Sequence, residues 1–552
     1  MSVGERARWL ARRASTVIVA TALLTGFAAA LPASAAAQTG FNDFNDIGGH
    51  WSESFVRTLL YTGVLSVPED GRFRPDDPVT RLDFAVWLAG AMELQPAPEP
   101  AQAPFSDWSQ VPEDARPKVL AAVEAGLLNG FPDGTFRPDE VLTRAQMGVI
   151  FGRGLIPLGY TPEDRYRAVF VDGDRIPAWA SDATAAVKAR VIQGTYVDGV
   201  FAFHPYAATT RGEAATMIVR FVEIRIEVLG IPRPEPRQVT TGRVARFAYY
   251  IDDANGYQML QQYGEHLDAL ILWNYHLENA GGGIAGLDRR RVMTWAVETG
   301  KPLIALITAH DRSINDAFLA DPEAHDDFIR NLQALLDKGF SGIDLNFENV
   351  SAARRDNLTE LVRRVSAAVK ARGAHISISV PAKTGDDPAS DWSGAYDYAA
   401  LGGLVDHVAV MTYDYSWNGG AAGPIGPIGW MRRVLDYAVT RIPAGKILLG
   451  LPAYGRDWPA GAVGGGRALT ARQIDELTAQ RGITPAYDAA TGEATFNYID
   501  DQGVARVVWF TPPEGVAAKL SLVDEYGLGG FVMWRMGQEV DGYWTAITRA
   551  LP

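Results

Sequence analysis

Cysteine is absent from the sequence, although the chain has 552 residues. This absence excludes disulfide bonds, thiol nucleophiles and cysteine–zinc sites, so stability must come from buried apolar cores. Histidine is scarce, with eight residues and no H-E-x-x-H pair, which disfavours a catalytic metal. The glycine runs at 279–286 and 461–467 lack the G-K-S/T of a phosphate-binding loop. The sequence therefore predicts a protein without a metal or another cofactor.

Basic residues are fewer than acidic ones, so the formal net charge is -14 and the pI is about 5.1. A nucleic-acid-binding protein normally presents a basic face, so nucleic acid is not an expected partner. An acidic surface is compatible with a neutral glycan. Hydrophobic residues make up 47% of the chain, which supplies material for large cores, and the length predicts two to four domains.

Long hydrophobic runs are also absent, except at the N-terminus. There the apolar run from Thr16 to Leu31 follows an arginine-rich segment and precedes small residues, which predicts a signal peptide over 1–37. Cleavage is expected after Ala35 or Ala37. The alternative is an uncleaved membrane anchor, although the run is short for a span. The sequence thus predicts a secreted protein with no membrane span after cleavage.

One pattern occurs three times in the first half, which predicts repeats over 41–95, 102–158 and 167–225. Each copy has an F-x-D sequence, an amphipathic helix, a D-G-x-F turn, and Thr-Arg at the start of a second helix. Units of this size bury little surface alone, so three should pack together. The expected N-cap and first helical residues are Thr80 and Arg81, Thr143 and Arg144, and Thr210 and Arg211.

This repeat resembles the S-layer homology domain, whose pattern is F-x-D, D-G-x-F-x-P and T-R-A-E/Q. The second copy, "FPDGTFRPDEVLTRAQ", matches it best. The resemblance implies a mainly α-helical three-repeat bundle that holds a secondary cell-wall polysaccharide, where guanidinium groups bind carboxylates. The alternative is that these arginines only cap and pack the bundle. The binding residues implied are Arg81, Arg144, Arg211, Trp51 and Trp108.

The second half has a different organisation. A proline-rich linker over 229–240 is followed, over 241–552, by short apolar strands that alternate with helical segments. This alternation predicts a parallel sheet, and eight such strands predict an α/β fold of the (β/α)8, or TIM, barrel type. A small α+β insertion is expected at about 483–510, before the eighth strand.

The fourth of these strands carries polar residues at every second position in "GFSGIDLNFENV". Because side chains alternate along a strand, Asp344, Asn346 and Glu348 should share the face that points into the barrel. Catalytic groups of such barrels lie at the C-terminal ends of the strands, which places Glu348 at the mouth. A buried structural ladder is the alternative, but such burial is costly without partners or a ligand.

The stretch is similar to the D-G-x-D-x-D-x-E signature of family 18 glycoside hydrolases. "MTYDY" (411–415), "GLPAYGRDW" (450–458) and "GGFVMW" (529–534) follow in the order of that family, and chiefly resemble its chitinase-like spore and peptidoglycan glycosidases. The resemblance implies hydrolysis of a β-1,4 bond after N-acetylglucosamine, with retention. Glu348 would be the general acid, and the acetamido group of the substrate would be the nucleophile.

Further roles follow from the same resemblance. Asp344 belongs to the signature, Asn346 would orient the acetamido group, and Tyr413 would donate a hydrogen bond to its oxygen. The implied substrate-binding residues are Asp414, Trp534, Trp273, Tyr249 and Tyr250.

Asn346 stands where the family signature has an aspartate. An amide cannot offset the positive charge of the intermediate, but it can still position the acetamido group. Without a neighbouring carboxylate, the pKa of Glu348 should also be lower, which predicts an activity optimum on the acidic side of neutrality.

Together these features predict a secreted glycosidase attached to the bacterial cell wall or S-layer. Its expected substrate is an N-acetylglucosamine-containing glycan such as peptidoglycan or chitin. One alternative is a catalytically impaired barrel that only binds chitin or peptidoglycan. Another is a mainly structural envelope component.

Overall fold

The computed structural model describes residues 44–197, 200–239 and 244–551. The predicted signal peptide over 1–37 lies outside the described residues. Within these ranges, no helix combines the length and the apolar character needed to cross a membrane. The described chain comprises a helical repeat region, a connecting segment, and a parallel barrel with an antiparallel sheet attached to it.

The repeat region is mainly α-helical, as predicted. The second helix of each repeat begins at the predicted arginine, and its N-cap threonine accepts a hydrogen bond from the third helical N–H. A short antiparallel hairpin, β1 (Thr195–Val197) with β2 (Val200–Ala202), lies in the third repeat. The helices are α1 (Glu53–Tyr61), α2 (Arg81–Ala91), α3 (Arg116–Glu124), α4 (Arg144–Leu155), α5 (Ala183–Lys188) and α6 (Arg211–Leu229).

The aspartate of each F-x-D sequence accepts hydrogen bonds from the backbone of a turn in the same repeat. In the second repeat, the Asp107 carboxylate accepts hydrogen bonds from the backbone N–H groups of Phe136 and Arg137, at 2.8 and 2.7 Å. Arg137 has a φ of 57°, in the left-handed region that non-glycine residues avoid, so the carboxylate stabilises a strained turn. The same pairs of bonds join Asp46 to Phe73 and Arg74, and Asp172 to Phe203 and His204.

The connecting segment lies along the barrel. Residues 231–239 form no helix or strand, while Leu229, the first residue of the predicted linker, still belongs to the last helix of the repeats. The backbone N–H of Arg237 donates to the Ser341 hydroxyl at 3.1 Å, and a Cβ added to Gly339 would meet the Pro234 carbonyl oxygen at 2.0 Å. This close approach requires glycine at position 339, and it fixes the linker against the start of the fourth barrel strand.

Eight parallel strands form a closed barrel, which confirms the predicted fold class. Barrel strands that follow one another in the chain are neighbours in the sheet. The first strand pairs with both the second and the eighth, which closes the barrel. The strands read as nearly continuous apolar runs because both faces are buried, one in the barrel and one under the helices. They are β3 (Ala245–Tyr250), β4 (Ala269–Leu277), β6 (Leu303–Ala309), β7 (Gly342–Phe347), β8 (His375–Pro381), β9 (His407–Met411), β10 (Ile447–Pro452) and β16 (Gly530–Met536).

Helices cover the outside of the barrel. Their apolar faces join the outward-facing strand residues in one large core that includes Leu345, Phe347 and Val362. A short strand, β5 (Ile284–Gly286), pairs antiparallel with the end of the second barrel strand. The helices are α7 (Ala254–Tyr263), α8 (Arg290–Thr299), α9 (Arg312–Ala320), α10 (Pro322–Leu336), α11 (Arg355–Lys370), α12 (Tyr398–Leu404), α13 (Ile428–Ala438), α15 (Pro513–Tyr526) and α16 (Asp541–Ala550).

The insertion before the eighth strand is larger than the sequence indicates. It forms an antiparallel sheet over 454–510 with one helix, α14 (Ala471–Arg481). Its first strand follows the seventh barrel strand after one residue, Ala453, so the two read as a single run in the sequence. The strands are β11 (Tyr454–Pro459), β12 (Arg467–Thr470), β13 (Ala486–Asp488), β14 (Glu493–Ile499) and β15 (Ala505–Phe510).

Candidate active site

The fourth barrel strand places three polar side chains in the barrel interior. Ile343, Leu345 and Phe347 point outward into the core beneath the helices. Strand alternation therefore turns Asp344, Asn346 and Glu348 inward, and all three are buried. The strand ends at Phe347, so Glu348 lies at its C-terminal end, at the mouth.

Glu348 has the environment of a general acid. Its Oε1 accepts a hydrogen bond from Asn346 Nδ2 at 3.0 Å and lies 3.7 Å from His310 Nδ1. Burial raises the pKa of Glu348 to about 7, Asp414 adds to this rise, and the Asn346 hydrogen bond opposes it. A carboxyl group with this pKa is protonated in a substantial fraction of molecules near neutrality.

Asn346 is oriented by the same hydrogen bond. Because its Nδ2 faces the Glu348 carboxylate, its Oδ1 faces the other way, and no described residue donates to that buried oxygen. A buried acceptor without a partner is costly unless a ligand supplies the donor. A hydrogen-bond donor of a ligand, such as an N–H group, therefore fits this oxygen.

Asp344 lies deeper in the barrel. Its carboxylate accepts hydrogen bonds from the Ser377 and Ser379 hydroxyls, at 2.5 and 3.2 Å. Ser379 is also 2.6 Å from the Tyr249 hydroxyl. Burial raises the pKa of Asp344 to about 6, against the lowering effect of the two serines. Asp344 thus supports the site from below through Ser379 and Tyr249.

Aromatic rings form the floor of the site. The ring centroids of Trp273 and Trp534 are 4.6 Å apart, and those of Tyr249 and Trp534 are 5.4 Å apart. Burial raises the pKa of Tyr413 well above its usual value, so its hydroxyl stays protonated and can donate a hydrogen bond. The residues that line this pocket are Tyr249, Trp273, Asn346, Glu348, Ser379, Met411, Tyr413 and Trp534.

Tyr250 does not belong to this pocket, so that sequence prediction is wrong. It follows Tyr249 on the same strand and therefore points to the opposite face, into the core beneath the helices. Its hydroxyl donates to Asp252 at 2.6 Å. Adjacent tyrosines cannot both face the barrel interior.

Asp414 lines the site but is also tied to the insertion. Its Oδ1 accepts hydrogen bonds from Arg456 Nε and Nη2, at 3.1 and 2.6 Å, and from the Tyr454 hydroxyl. Arg456 is buried, and its positive charge is compensated by this carboxylate. Asp414 therefore positions the loop after the sixth strand and contributes negative charge near Glu348.

A larger cavity of about 300 Å³ opens beside the pocket. Glu348, Met411 and Tyr413 line both, so the two spaces adjoin at these residues. Sequence reasoning missed three tryptophans of this cavity because they lie in or next to loops, outside the strand motifs. A clear signal was available, since aromatic residues after barrel strands commonly line ligand sites. These residues are Trp392, Trp417 and Trp430.

The three repeat arginines form a ring of contacts between repeats. Arg144 is buried and donates to the Phe203 and Gln193 carbonyl oxygens and to Glu213, at 2.8, 2.7 and 2.8 Å. Arg81, also buried, donates to the Asn129 carbonyl oxygen at 2.5 Å. These contacts agree with the alternative stated above, that the arginines cap and pack the bundle, because they join neighbouring repeats.

Arg211 differs because it lines a groove of about 340 Å³ that is formed mainly by the first repeat and completed by the second. Its guanidinium lies 4.7 Å from the Trp87 ring centroid and donates to Asp83. Lys118 and Asp114 also line this groove, so it presents charges of both signs beside aromatic surface. The sequence motif identified Arg211 but not the other members.

The two tryptophans predicted to bind polysaccharide lie in different environments. Trp108 is buried, and its indole N–H donates to Glu99 at 3.0 Å, so it serves the core instead of a binding surface. Trp51 is 59% exposed, and its binding role stays a prediction.

A (β/α)8 barrel with a buried carboxyl group and an aromatic floor at the mouth has the parts that a glycosidase needs. Residues 309–539 match Glycosyl hydrolases family 18, and residues 43–85 and 104–147 match the S-layer homology domain. The chain is 30% identical over 312 residues to the uncharacterized glycosylase YvbX of Bacillus subtilis (strain 168), covering 54% of this chain and 90% of that protein. The chain therefore belongs to glycosyl hydrolase family 18 and carries S-layer homology domains, which associate it with the cell surface.

Two further similarities bear on its chemistry. The chain is 31% identical over 235 residues to the cortical fragment-lytic enzyme of Bacillus anthracis, covering 42% of this chain and 54% of that enzyme. Among solved structures, a chitinase from Chromobacterium violaceum superimposes with a TM-score of 0.53 and 32% identity, covering 56% of this chain and 99% of that one.

Proposed function

We propose that the barrel hydrolyses β-1,4 bonds that follow N-acetylglucosamine units in peptidoglycan or a chitin-like glycan, with retention of configuration. The observation that carries this proposal is the Asn346 amide, which is anchored to Glu348 and leaves a buried acceptor oxygen toward the pocket. That oxygen suits the N–H of an acetamido group. The chitinase and cortical fragment-lytic relatives support the same class of substrate.

The proposed reaction has two steps. In the first, the acetamido oxygen of the substrate attacks its own anomeric carbon while Glu348 donates its proton to the leaving glycosidic oxygen. Tyr413 and Asn346 hold the acetamido group, and the Trp534 ring supports the sugar. In the second, the Glu348 carboxylate takes a proton from water, whose oxygen attacks the anomeric carbon and opens the oxazolinium ring.

The pH profile tests the protonation state of Glu348. Because the acid must be protonated and its pKa is about 7, kcat/KM on an N-acetylglucosamine oligomer should fall above that pH. The expected slope is about tenfold per pH unit. Similar activity at pH 5 and pH 8 would contradict this assignment.

The Asn346→Asp variant extends that test. A carboxylate beside Glu348 repels its charged form, so the alkaline limb of the profile should move to higher pH. The same substitution at the exposed Asn497 of the insertion adds the same charge away from the site and should leave the profile unchanged. An alkaline limb that does not move in the pH profile of Asn346→Asp would count against a direct electrostatic interaction between residue 346 and Glu348. A silent parent with an active variant would favour the binding-only alternative.

We also propose that the repeat region holds cell-wall polysaccharide in the groove of Arg211 and Lys118. The Lys118→Ala variant should bind isolated cell walls about tenfold more weakly, since one charge-assisted hydrogen bond is lost. Its hydrolysis of soluble oligomers should be unchanged. The exposed Arg175 lies in the third repeat and provides a matched control, Arg175→Ala. Equal wall binding by Lys118→Ala and the parent would exclude this groove as the binding site.

A further inference from the structure

The backbone of Glu348 is held by a buried asparagine of the helix that follows the third barrel strand. Asn315 lies on α9 and is 1% exposed. Its Nδ2 donates hydrogen bonds to the Glu348 carbonyl oxygen at 2.7 Å and to the Ala309 carbonyl oxygen at 3.0 Å. An amide nitrogen carries two hydrogens, so these two bonds use both of them. One side chain therefore links the end of the third strand to the residue that carries the proposed acid.

This link lies where the pairing of the two strands ends. Ala309 and Phe347 are the last paired residues of the third and fourth strands. The Glu348 N–H still donates to the Ala309 carbonyl oxygen at 2.8 Å, and the chain then leaves the sheet. A buried carbonyl oxygen needs a donor, and beyond the strand pair the Asn315 amide supplies it. The asparagine thus continues the hydrogen bonding of the sheet by one residue, at Glu348.

The turn after Glu348 is attached to the same part of the chain. Asn349 has a φ of 55°, in the left-handed region, and its Nδ2 donates to the His310 carbonyl oxygen at 3.1 Å. The Ser351 N–H donates to Asp316 Oδ1 at 3.1 Å, and the Ser351 hydroxyl donates to the other oxygen of that carboxylate. Side chains therefore hold both sides of this turn, and Asp316 belongs to the same helix as the asparagine.

The helix that carries the amide is itself fixed in place. Its N-cap residue, Asp311, accepts a hydrogen bond from the third helical N–H at 3.0 Å. Phe318 and Leu319 of the helix are fully buried in the core that covers the barrel. On the other side of the fourth strand, the Tyr396 hydroxyl donates to the Phe347 carbonyl oxygen at 2.6 Å. The end of the strand is therefore held from both sides by packed elements.

The amide at position 315 is kept at a cost in stability. No described residue donates to the buried Asn315 Oδ1, and a buried acceptor without a donor is unfavourable. A leucine would avoid this cost but would leave the Glu348 carbonyl oxygen without its donor. An aspartate would place a negative oxygen against two carbonyl oxygens. The position therefore favours a neutral side chain with two donors, which is what asparagine provides.

We propose that Asn315 is a positioning residue that sets the place of the Glu348 carboxyl group through the Glu348 backbone. This inference rests on the proposed function and adds a residue to its machinery. The carboxyl group must reach the leaving oxygen in the first step and a water in the second, so a small displacement slows both steps. Among the described residues, Asn315 is not one of those that line the pocket or the adjoining cavity. Its effect on catalysis is therefore exerted through Glu348 and not through contact with the sugar.

Kinetics of full-chain variants on an N-acetylglucosamine oligomer test this role. Asn315→Asp keeps the shape of the side chain but removes both donors, and it should lower kcat about a hundredfold while KM stays within about twofold. Asn331→Asp is the matched control, because Asn331 Nδ2 donates to the Gly282 carbonyl oxygen at 2.9 Å, away from Glu348. Its kcat should match that of the parent. Parent-like kcat in Asn315→Asp, or the same loss in Asn331→Asp, would overturn the inference while leaving the proposed function intact.

Amide hydrogen exchange provides a measurement that does not depend on turnover. In full-chain Asn315→Leu, which keeps the size of the side chain without its donors, peptides that cover 348–351 should exchange about tenfold faster than in the parent. Peptides of the fifth barrel strand, His375–Pro381, should exchange as in the parent. Unchanged exchange over 348–351 would overturn the inference, even if Asn315→Asp does not fold. If the parent cleaves no oligomer, the proposed function fails, and the exchange rates still decide whether Asn315 holds the Glu348 backbone.

Discussion

Glu348→Gln should lower kcat on N-acetylglucosamine oligomers about a thousandfold, the middle of the range for removing a general acid. The amide cannot donate the proton that the leaving oxygen needs, and it cannot take a proton from water in the second step. Its size and shape match the carboxyl group, and it can still bond to Asn346. Oligomer binding should therefore survive while turnover is lost, as measured by calorimetry and product release on the same preparation.

The matched control is Glu476→Gln, an exposed glutamate on the helix of the insertion. It makes the same chemical change outside the barrel interior and should leave kcat within about twofold of the parent. If Glu348→Gln retained parent activity, another group would have to be the acid, and the assignment of the fourth-strand motif would be wrong.

Lys519→Met should destabilise the barrel by about 3–5 kcal/mol, because it leaves a buried carboxylate without its counter-charge. Lys519 Nζ lies 2.6 Å from Glu493 Oε1, and both side chains are fully buried. The same carboxylate accepts hydrogen bonds from the backbone N–H groups of Ile425 and Gly426, at 2.6 and 2.7 Å. Glu493 thus joins the insertion to the barrel and to the loop that carries Trp417. Urea unfolding followed by circular dichroism measures the loss.

A second substitution separates lost charge pairing from lost packing. In Lys519→Met with Glu493→Gln, no buried charge is left without a counter-charge, and the single amide oxygen can still accept from one of the two backbone N–H groups, so part of the lost stability should return. Lys370→Met removes a partly exposed pair with Asp406 and should change stability by about 1 kcal/mol at most. If Lys519→Met also lowered the free energy of unfolding by only about 1 kcal/mol, the buried pair of Lys519 and Glu493 would contribute little to stability.

Sequence patterns predicted the elements that depend on local periodicity. The alternation in "GIDLNFE" identified which side chains of the fourth strand face inward, because a strand has a period of two residues. Thr143 and Thr210 predicted the helix starts, because an N-cap side chain acts within three residues of itself. The barrel followed from strand–helix alternation in the same way.

Features that depend on contacts between residues far apart in the chain could not be predicted from local sequence patterns. Arg144 bonds to Phe203, Gln193 and Glu213 in the next repeat, and only the assembled bundle brings these groups together. Tyr61 lies more than two hundred residues before Trp273 in the chain, so the contact between their rings follows from the packing of the first repeat on the barrel. The insertion was underestimated because Ala453 alone separates its first strand from the seventh barrel strand.

The anomeric configuration of the first product is the most direct test of the central claim. Proton NMR during hydrolysis of an N-acetylglucosamine oligomer by the full chain distinguishes the two anomers before they equilibrate. The two-step mechanism through the acetamido group predicts the β-anomer first. Initial α-anomer would contradict that mechanism, and the absence of any hydrolysis under conditions in which the oligomer binds would make the barrel a glycan-binding protein.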